Sequence, residues 1–294
     1  MFLQILITNL AASSYYVLFA VSFALVLKVT KIWNFAQAGM MTTAFYCLYW
    51  AVTVRKMPFY LAIPLAVVMT SLLAAGVEKF AFQTLRRRKS TGFAFFIFTM
   101  IFAQFLAYLF TLIFGTEPFT VEPSIFSPVI PVGSLIVTHW DIKAFVLALT
   151  LLVLLYILLR WSKPGKYMLA VSNNDRLAEL YGISSTRSYL WSMIIAAVLC
   201  TFGMYILGLK IAVYPHFTLH IILFAVAATV IGGIGNVFGA AAGAVVLSLL
   251  QGLSIMIIPS KWQNLLVYFF FFGIIIFMPS GFATFVRELT GKKQ

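Results

Sequence analysis

Long apolar runs, interrupted by few charges, decide what this chain can fold into. Of its 294 residues, 63% are hydrophobic and 9% are charged, and the mean hydropathy is +1.05. A soluble domain of this size cannot bury so much apolar surface, whereas helices of about 20 apolar residues match the hydrocarbon core of a bilayer. Because the runs do not alternate as barrel strands do, the sequence predicts an all-α polytopic membrane protein with about 8–10 transmembrane helices.

Nine segments are candidate spans, some of them short: 4–27, 38–54, 58–82, 91–114, 143–160, 189–209, 218–232, 237–258 and 263–281. If the N-terminus is outside, fifteen of the twenty Lys and Arg residues fall on the inner side and five on the outer side. Cytoplasmic loops carry such an excess, so we expect the N-terminus outside and the C-terminus in the cytoplasm. The net charge of +13 is then explained by topology rather than by nucleic-acid binding. The first run lacks a basic leader, and we expect it to be retained as a span.

Two segments rich in small and amide residues break the apolar runs, near 34–39 and 232–239. Backbone freed at membrane depth must be satisfied by protein or line a wet cavity, and paired breaks in transporters often mark the binding region. The candidate pathway residues around the two breaks are Asn34, Gln37, Thr42, Thr43, Gly232, Gly233, Gly235 and Asn236. Alternatively, Gly235, Gly239 and Gly243 keep a spacing of four that lets helices pack closely. The two interpretations are compatible.

Several kinds of chemistry are missing from the sequence. All seven acidic residues lie in loops or at span ends, which argues against a proton relay. The three histidines have no HExxH pattern, and neither GxSxG nor GxxxxGK[ST] occurs. We therefore expect neither an enzyme, nor a metal site, nor a nucleotide site in this chain. Cys47 and Cys200 both fall inside spans, where they are better interpreted as packing residues than as a disulfide.

A polar segment at 162–187 separates two apolar runs and is predicted to lie in the cytoplasm. Within it, Asn173, Asn174 or Asp175 can cap a short helix that a glycine, Gly182, would end. One face of this helix is apolar and carries Leu177, Leu180 and Tyr181. A helix of about two turns is marginal in water, so it needs a surface to pack on. That surface is either the protein's own helices or a groove on a cytoplasmic partner.

Four stretches carry a resemblance to a known family. They are NFAQ at 34–37, GKYMLAVSNNDRLAELYGI at 165–183, GGIGNVFGAAAGA at 232–244 and MPSG at 278–281. In these stretches, which are spread over nearly the whole chain, the sequence resembles the permease subunits of branched-chain amino-acid ABC transporters. The glycine-rich stretch and the polar segment together make the likeness fairly specific.

The resemblance implies a single transmembrane permease domain, 1–294, in the bacterial inner membrane, with 162–187 as its cytoplasmic coupling loop. The implied partners are a second homologous permease, two cytoplasmic ATP-binding subunits that hold ATP and magnesium, and a periplasmic solute-binding protein. The implied solute is a branched-chain or other hydrophobic amino acid, or a related small solute. The residues expected to contact the ATPase subunit are Asn173, Asn174, Asp175, Leu177, Ala178, Leu180, Tyr181 and Gly182. The alternative function is a stand-alone channel or facilitator for urea-like or amide-like solutes.

Overall fold

The computed structural model describes residues 2–121, 129–132 and 135–254, together with Trp262, Leu265, Tyr268, Phe269, Phe272 and Gly273. The helices are α1 (Phe2–Thr30), α2 (Ala36–Tyr49), α3 (Phe59–Gly76), α4 (Gln83–Arg87), α5 (Gly92–Phe114), α6 (His139–Trp161), α7 (Lys163–Asn173), α8 (Asp175–Leu180), α9 (Ser185–Gly208), α10 (Phe217–Ile231) and α11 (Val237–Ser254). Two π-helical turns, Trp50–Val54 and Val77–Phe82, prolong α2 and join α3 to α4. Two short antiparallel strands, β1 (Val129–Val132) and β2 (Leu135–Thr138), precede α6.

Six helices in the described part of the chain are long and apolar enough to cross a membrane: Gln4–Thr30, Phe59–Arg87, Gly92–Phe114, His139–Trp161, Ser185–Gly208 and Val237–Ser254. Helix α10 is shorter but apolar, and α2 with its π-helical turn covers 36–54. These eight helices coincide with eight of the nine predicted spans, and the ninth, 263–281, lies mostly outside the described residues. The predicted all-α polytopic membrane protein is confirmed, whereas the direction in which the chain crosses the membrane stays a prediction.

Helix α1 lies at the centre of the bundle and contacts α6, α9, α10 and α11. In its most apolar stretch, 83% of the residues are buried, whereas the share is 22% in the corresponding stretches of α5 and α6. A helix that is apolar on all sides suits an interior position, while α5 and α6 present apolar side chains outward, as lipid-facing helices do. Both cysteines are free thiols, and Cys200 contacts Ser22 of α1 at 3.2 Å.

Helices α10 and α11 form a hairpin whose backbones touch. A β-carbon at Gly232 would lie 2.1 Å from the carbonyl oxygen of Gly239, and one at Gly243 would lie 2.2 Å from that of Ala228. Only glycine permits this approach, so the packing interpretation holds for Gly239 and Gly243. Gly235 differs, because it has φ +88° in the turn and open space around its α-carbon.

The helix ends divide the Lys and Arg residues unequally between the two ends of the bundle. At one of these ends, a cavity lies at the meeting point of six helices. It is lined by the ends of α1 and α4, the starts of α5 and α9, and the junction between α7 and α8. This end, called the basic end below, carries twelve of the Lys and Arg residues in the described ranges, and the opposite end carries four: Arg55, Lys56, Lys143 and Lys210. The basic end is therefore the one expected to face the cytoplasm.

Replacing Gly243 with Ala should force α10 and α11 apart and lower stability by about 1–3 kcal/mol, the usual cost of overpacking. The matched control is Gly76→Ala in α3, because a β-carbon there meets nothing within 4 Å and alanine favours helix. The measurement is the thermal unfolding midpoint of purified protein in detergent. Equal midpoints for the two variants would show that the α10–α11 contact is not tight.

Candidate functional site

The polar segment contains two helices, of which sequence analysis predicted only the second. Helix α7 begins where the hydroxyl of Ser162 accepts a hydrogen bond from the N–H of Gly165 at 3.1 Å, with Pro164 in its first turn. Gly165 lies against α6, because a β-carbon there would be 2.0 Å from the carbonyl oxygen of Leu158. Met168 and Val171, further along α7, are also buried. The Ser-Lys-Pro-Gly start is the signal that could have revealed α7.

Helix α8 is separated from α7 by one extended residue, Asn174, with φ −156°. The side-chain oxygen of Asn174 accepts a hydrogen bond from the N–H of Leu177 at 3.0 Å, which identifies the cap among the three predicted candidates. Asn173 is the last residue of α7, so the predicted short helix is α8 alone and begins after Asn174. At the other end Gly182 has φ +79°, and the N–H of Ile183 donates to the carbonyl of Ala178 at 3.0 Å. This is the glycine-ended arrangement that the sequence predicted.

The apolar stripe of α8 faces outward. Ala178 is buried, whereas Leu177 is 51% exposed, Leu180 84% and Tyr181 79%. The protein's own described helices therefore cover one small side chain of α8 and leave the three large ones exposed. A short, capped helix with three exposed apolar side chains has the composition that is typical of a docking surface. We call Leu177, Leu180 and Tyr181 the α8 stripe.

A buried charge connects the membrane helices to this segment. Glu78, on the π-helical turn after α3, is fully buried, and Arg86 of α4 donates to both of its carboxylate oxygens. The guanidinium also lies 4.1 Å from the ring centre of Tyr189, which is four residues after the start of α9 at Ser185. A buried carboxylate requires such a partner, since leaving it alone is very costly. Sequence analysis had treated Glu78 only as a span-end residue, and an eight-residue spacing gave no helical pairing signal.

Replacing Arg86 with Ala should destabilise the protein by about 3–5 kcal/mol, because it leaves the carboxylate of Glu78 buried and unpaired. The double variant Glu78→Gln/Arg86→Ala removes the charge and should recover part of that loss. Arg87→Ala, at the exposed neighbouring position, is the control. Thermal unfolding of the three purified variants measures the effect, and a double variant less stable than Arg86→Ala would contradict the account.

The polar residues of the first break are enclosed by the subunit. Asn34 and Gln37 are fully buried: Asn34 accepts the N–H of Ala36 at 3.1 Å, and its amide donates to the sulfur of Met193 at 3.3 Å. The amide of Gln37 donates to the carbonyl of Ser22 at 3.3 Å, and its oxygen has no hydrogen-bond partner among the described residues. These side chains therefore join α1, α2 and α9 in this conformation.

The hydroxyls of the same region also bond within the subunit. Thr42 lies 2.8 Å from Thr218, which joins α2 to α10, and Thr43 donates to the carbonyl of Gly39 at 2.9 Å. Each candidate pathway residue of the first break thus has a neighbour in its own chain, and its contact with a passing solute stays a prediction.

The second break is the turn of the α10–α11 hairpin. Gly233 and Gly235 have φ values of +96° and +88°, and the side-chain oxygen of Asn236 caps α11 by accepting the N–H of Gly239 at 3.0 Å. Thr229, three residues before Gly232, donates to the carbonyl of Ala20, ten residues before α1 ends. Because α10 continues for about three residues past this contact and α1 for ten, the turn is reached before the level at which α1 ends at the basic end.

A family model described as "Branched-chain amino acid transport system / permease component" matches residues 5–279. The chain belongs to this family. The match extends across both breaks and the polar segment, so the resemblance seen in the four sequence stretches is confirmed. Family membership and the six apolar helices together make this permease a multi-pass inner-membrane protein.

Two curated relatives span almost the whole of this permease. It is 22% identical over 299 residues to the high-affinity branched-chain amino acid transport system permease protein BraD of Pseudomonas aeruginosa, covering 95% of each chain. It is 22% identical over 294 residues to the corresponding LivH of Escherichia coli, covering 95% of this chain and 94% of that one. Among solved structures, it is similar to PsaBC from Streptococcus pneumoniae in complex with Fab, with a TM-score of 0.53, 14% identity, and coverage of 99% and 95%. The last likeness concerns the fold alone.

Proposed function

We propose that this permease is the transmembrane subunit of an ABC importer that carries branched-chain or other hydrophobic amino acids, or a related small solute. In this proposal it pairs with a second homologous permease and receives solute from a periplasmic binding protein. Two cytoplasmic subunits bind ATP with magnesium and drive transport, because the chain has no GxxxxGK[ST] motif of its own. The names of the relatives BraD and LivH support the solute class.

The observation that carries the proposal is the α8 stripe. Both ends of α8 are closed by hydrogen bonds, from the Asn174 cap and the Gly182 turn, so the helix is formed before any partner arrives. Its large apolar side chains are then available for a groove, as in helix-in-groove recognition. Motion imposed on α8 would reach the membrane through α7, α9 and the Arg86 contact with Tyr189.

Two charges placed on the stripe should break the contact. In Leu177→Asp/Leu180→Asp, uptake and solute-stimulated ATP hydrolysis should both fall about tenfold or more, since the loss of one interface hot spot costs about 2 kcal/mol or more. The membrane fold should be unaffected because both positions are exposed. The measurement is uptake and ATP hydrolysis in proteoliposomes that contain all the subunits.

The control is Tyr167→Asp, which places a single carboxylate at an exposed position of the neighbouring α7. Normal coupling in the double variant would exclude α8 as the site of ATPase contact. A channel would behave differently from the start, because the permease alone, without an ATPase, would then conduct solute down its gradient in proteoliposomes.

A further inference from the structure

A second cavity lies away from the basic end, between α1, α10 and α11. It has a volume of 140 Å³, and its walls are mostly aromatic rings, contributed by Tyr16, Tyr214, Phe217, Phe224 and Tyr268. Tyr16 and Phe224 stack with their ring centres 4.0 Å apart, and Tyr214 meets Phe217 edge-on at 5.5 Å. These contacts hold four of the five rings against a neighbouring ring, so the walls are preformed.

The size and chemistry of the cavity restrict what it can hold. An apolar cavity of about 150 Å³ holds a benzene-sized group, so 140 Å³ accommodates a branched aliphatic side chain but not an indole. His220 lies at the exposed rim of the lining, which also includes the amide of Gln251 and, on three of its rings, phenolic hydroxyls. These groups can form hydrogen bonds to a carboxylate, and aromatic faces attract an ammonium.

The position of the cavity suits a site that solute meets early. Phe217, His220 and Phe224 come from the first half of α10, and Tyr214 comes from the connection before it. This is the end opposite the basic end, which in an importer faces the side from which solute is delivered. Helix α10 then runs from the cavity to the second break at 232–236, so it connects the aromatic lining to the predicted pathway.

We infer that this cavity is a solute site of the permease that takes the aliphatic side chain of a small zwitterionic amino acid. The inference rests on the proposed function, since an importer of such solutes is what would use the site. It adds a binding site within the permease itself and a size limit on the side chain that the site accepts.

Solute protection of a cysteine at the rim tests the inference without the ATPase. His220 is an exposed lining residue, and His220→Cys keeps all five rings. In proteoliposomes of the full chain, L-leucine at saturating concentration should slow modification of this cysteine by a small thiol reagent about tenfold, a difference of about 1.4 kcal/mol. L-tryptophan and urea should protect much less. Mass spectrometry of the modified peptide distinguishes this site from Cys47 and Cys200.

The matched control is Leu223→Cys, three residues along the same helix, 40% exposed and not part of the lining. The rate at which the thiol reagent modifies this cysteine should not change when leucine is added. A second variant, His220→Cys/Phe217→Trp, narrows the cavity and should abolish protection while the protein still elutes as a single species in size exclusion.

Equal leucine protection at 220 and 223, or protection by tryptophan or urea as strong as by leucine, would overturn the inference. Either result leaves the proposed function standing if the assembled transporter still couples ATP hydrolysis to uptake. Conversely, the site stands without the proposed ATPase assembly if leucine protects position 220 but no ATPase subunit associates with the permease.

Discussion

The structure depends on one constraint: inside a bilayer, every backbone N–H and C=O must find a partner within the protein. This requirement explains why the chain forms long helices, and it also explains which residues lie where the helices stop. At the first break Asn34 accepts the N–H of Ala36, and at the second Asn236 accepts the N–H of Gly239. The two asparagines therefore satisfy backbone N–H groups at the helix starts that follow the breaks. The positive φ values of Gly233 and Gly235 allow the turn between α10 and α11.

Burial of charge follows the same rule and links α3 and α4 to α9, the helix that follows the polar segment. Glu78 is tolerated in the interior because Arg86 binds its carboxylate, and that arginine also rests on the ring of Tyr189. Arg86, which neutralises the buried charge, therefore also contacts α9, the helix that follows α8. In contrast, the apolar stripe of α8 has no such partner in the described part of the chain and is exposed to the side on which the basic residues gather. The exposed stripe makes sense for one subunit of a larger assembly.

Local signals explain what could be predicted from sequence. The eight confirmed spans follow from apolar runs that match the bilayer, and the ends of α8 follow from Asn174 and Gly182, whose effects reach only a few residues. Helix α7 was missed although its Ser-Lys-Pro-Gly start is a local signal. Its contacts with α1 and α9, which are remote in sequence, became visible only in the fold. The partners of Asn34 and Thr42, namely Met193 and Thr218, lie more than 150 residues away, so only the fold could reveal that the first break is packed within the subunit.

The central claim is that the α8 stripe meets an ATPase subunit, and site-specific photocrosslinking tests it most directly. A photoreactive amino acid at Leu180, 84% exposed on α8, is compared with one at Leu112, 85% exposed on the apolar helix α5. In native membranes that contain all the subunits, position 180 is predicted to crosslink to the ATP-binding subunit and position 112 to lipid. Crosslinks from position 180 that reach only lipid or the permease itself would contradict the account.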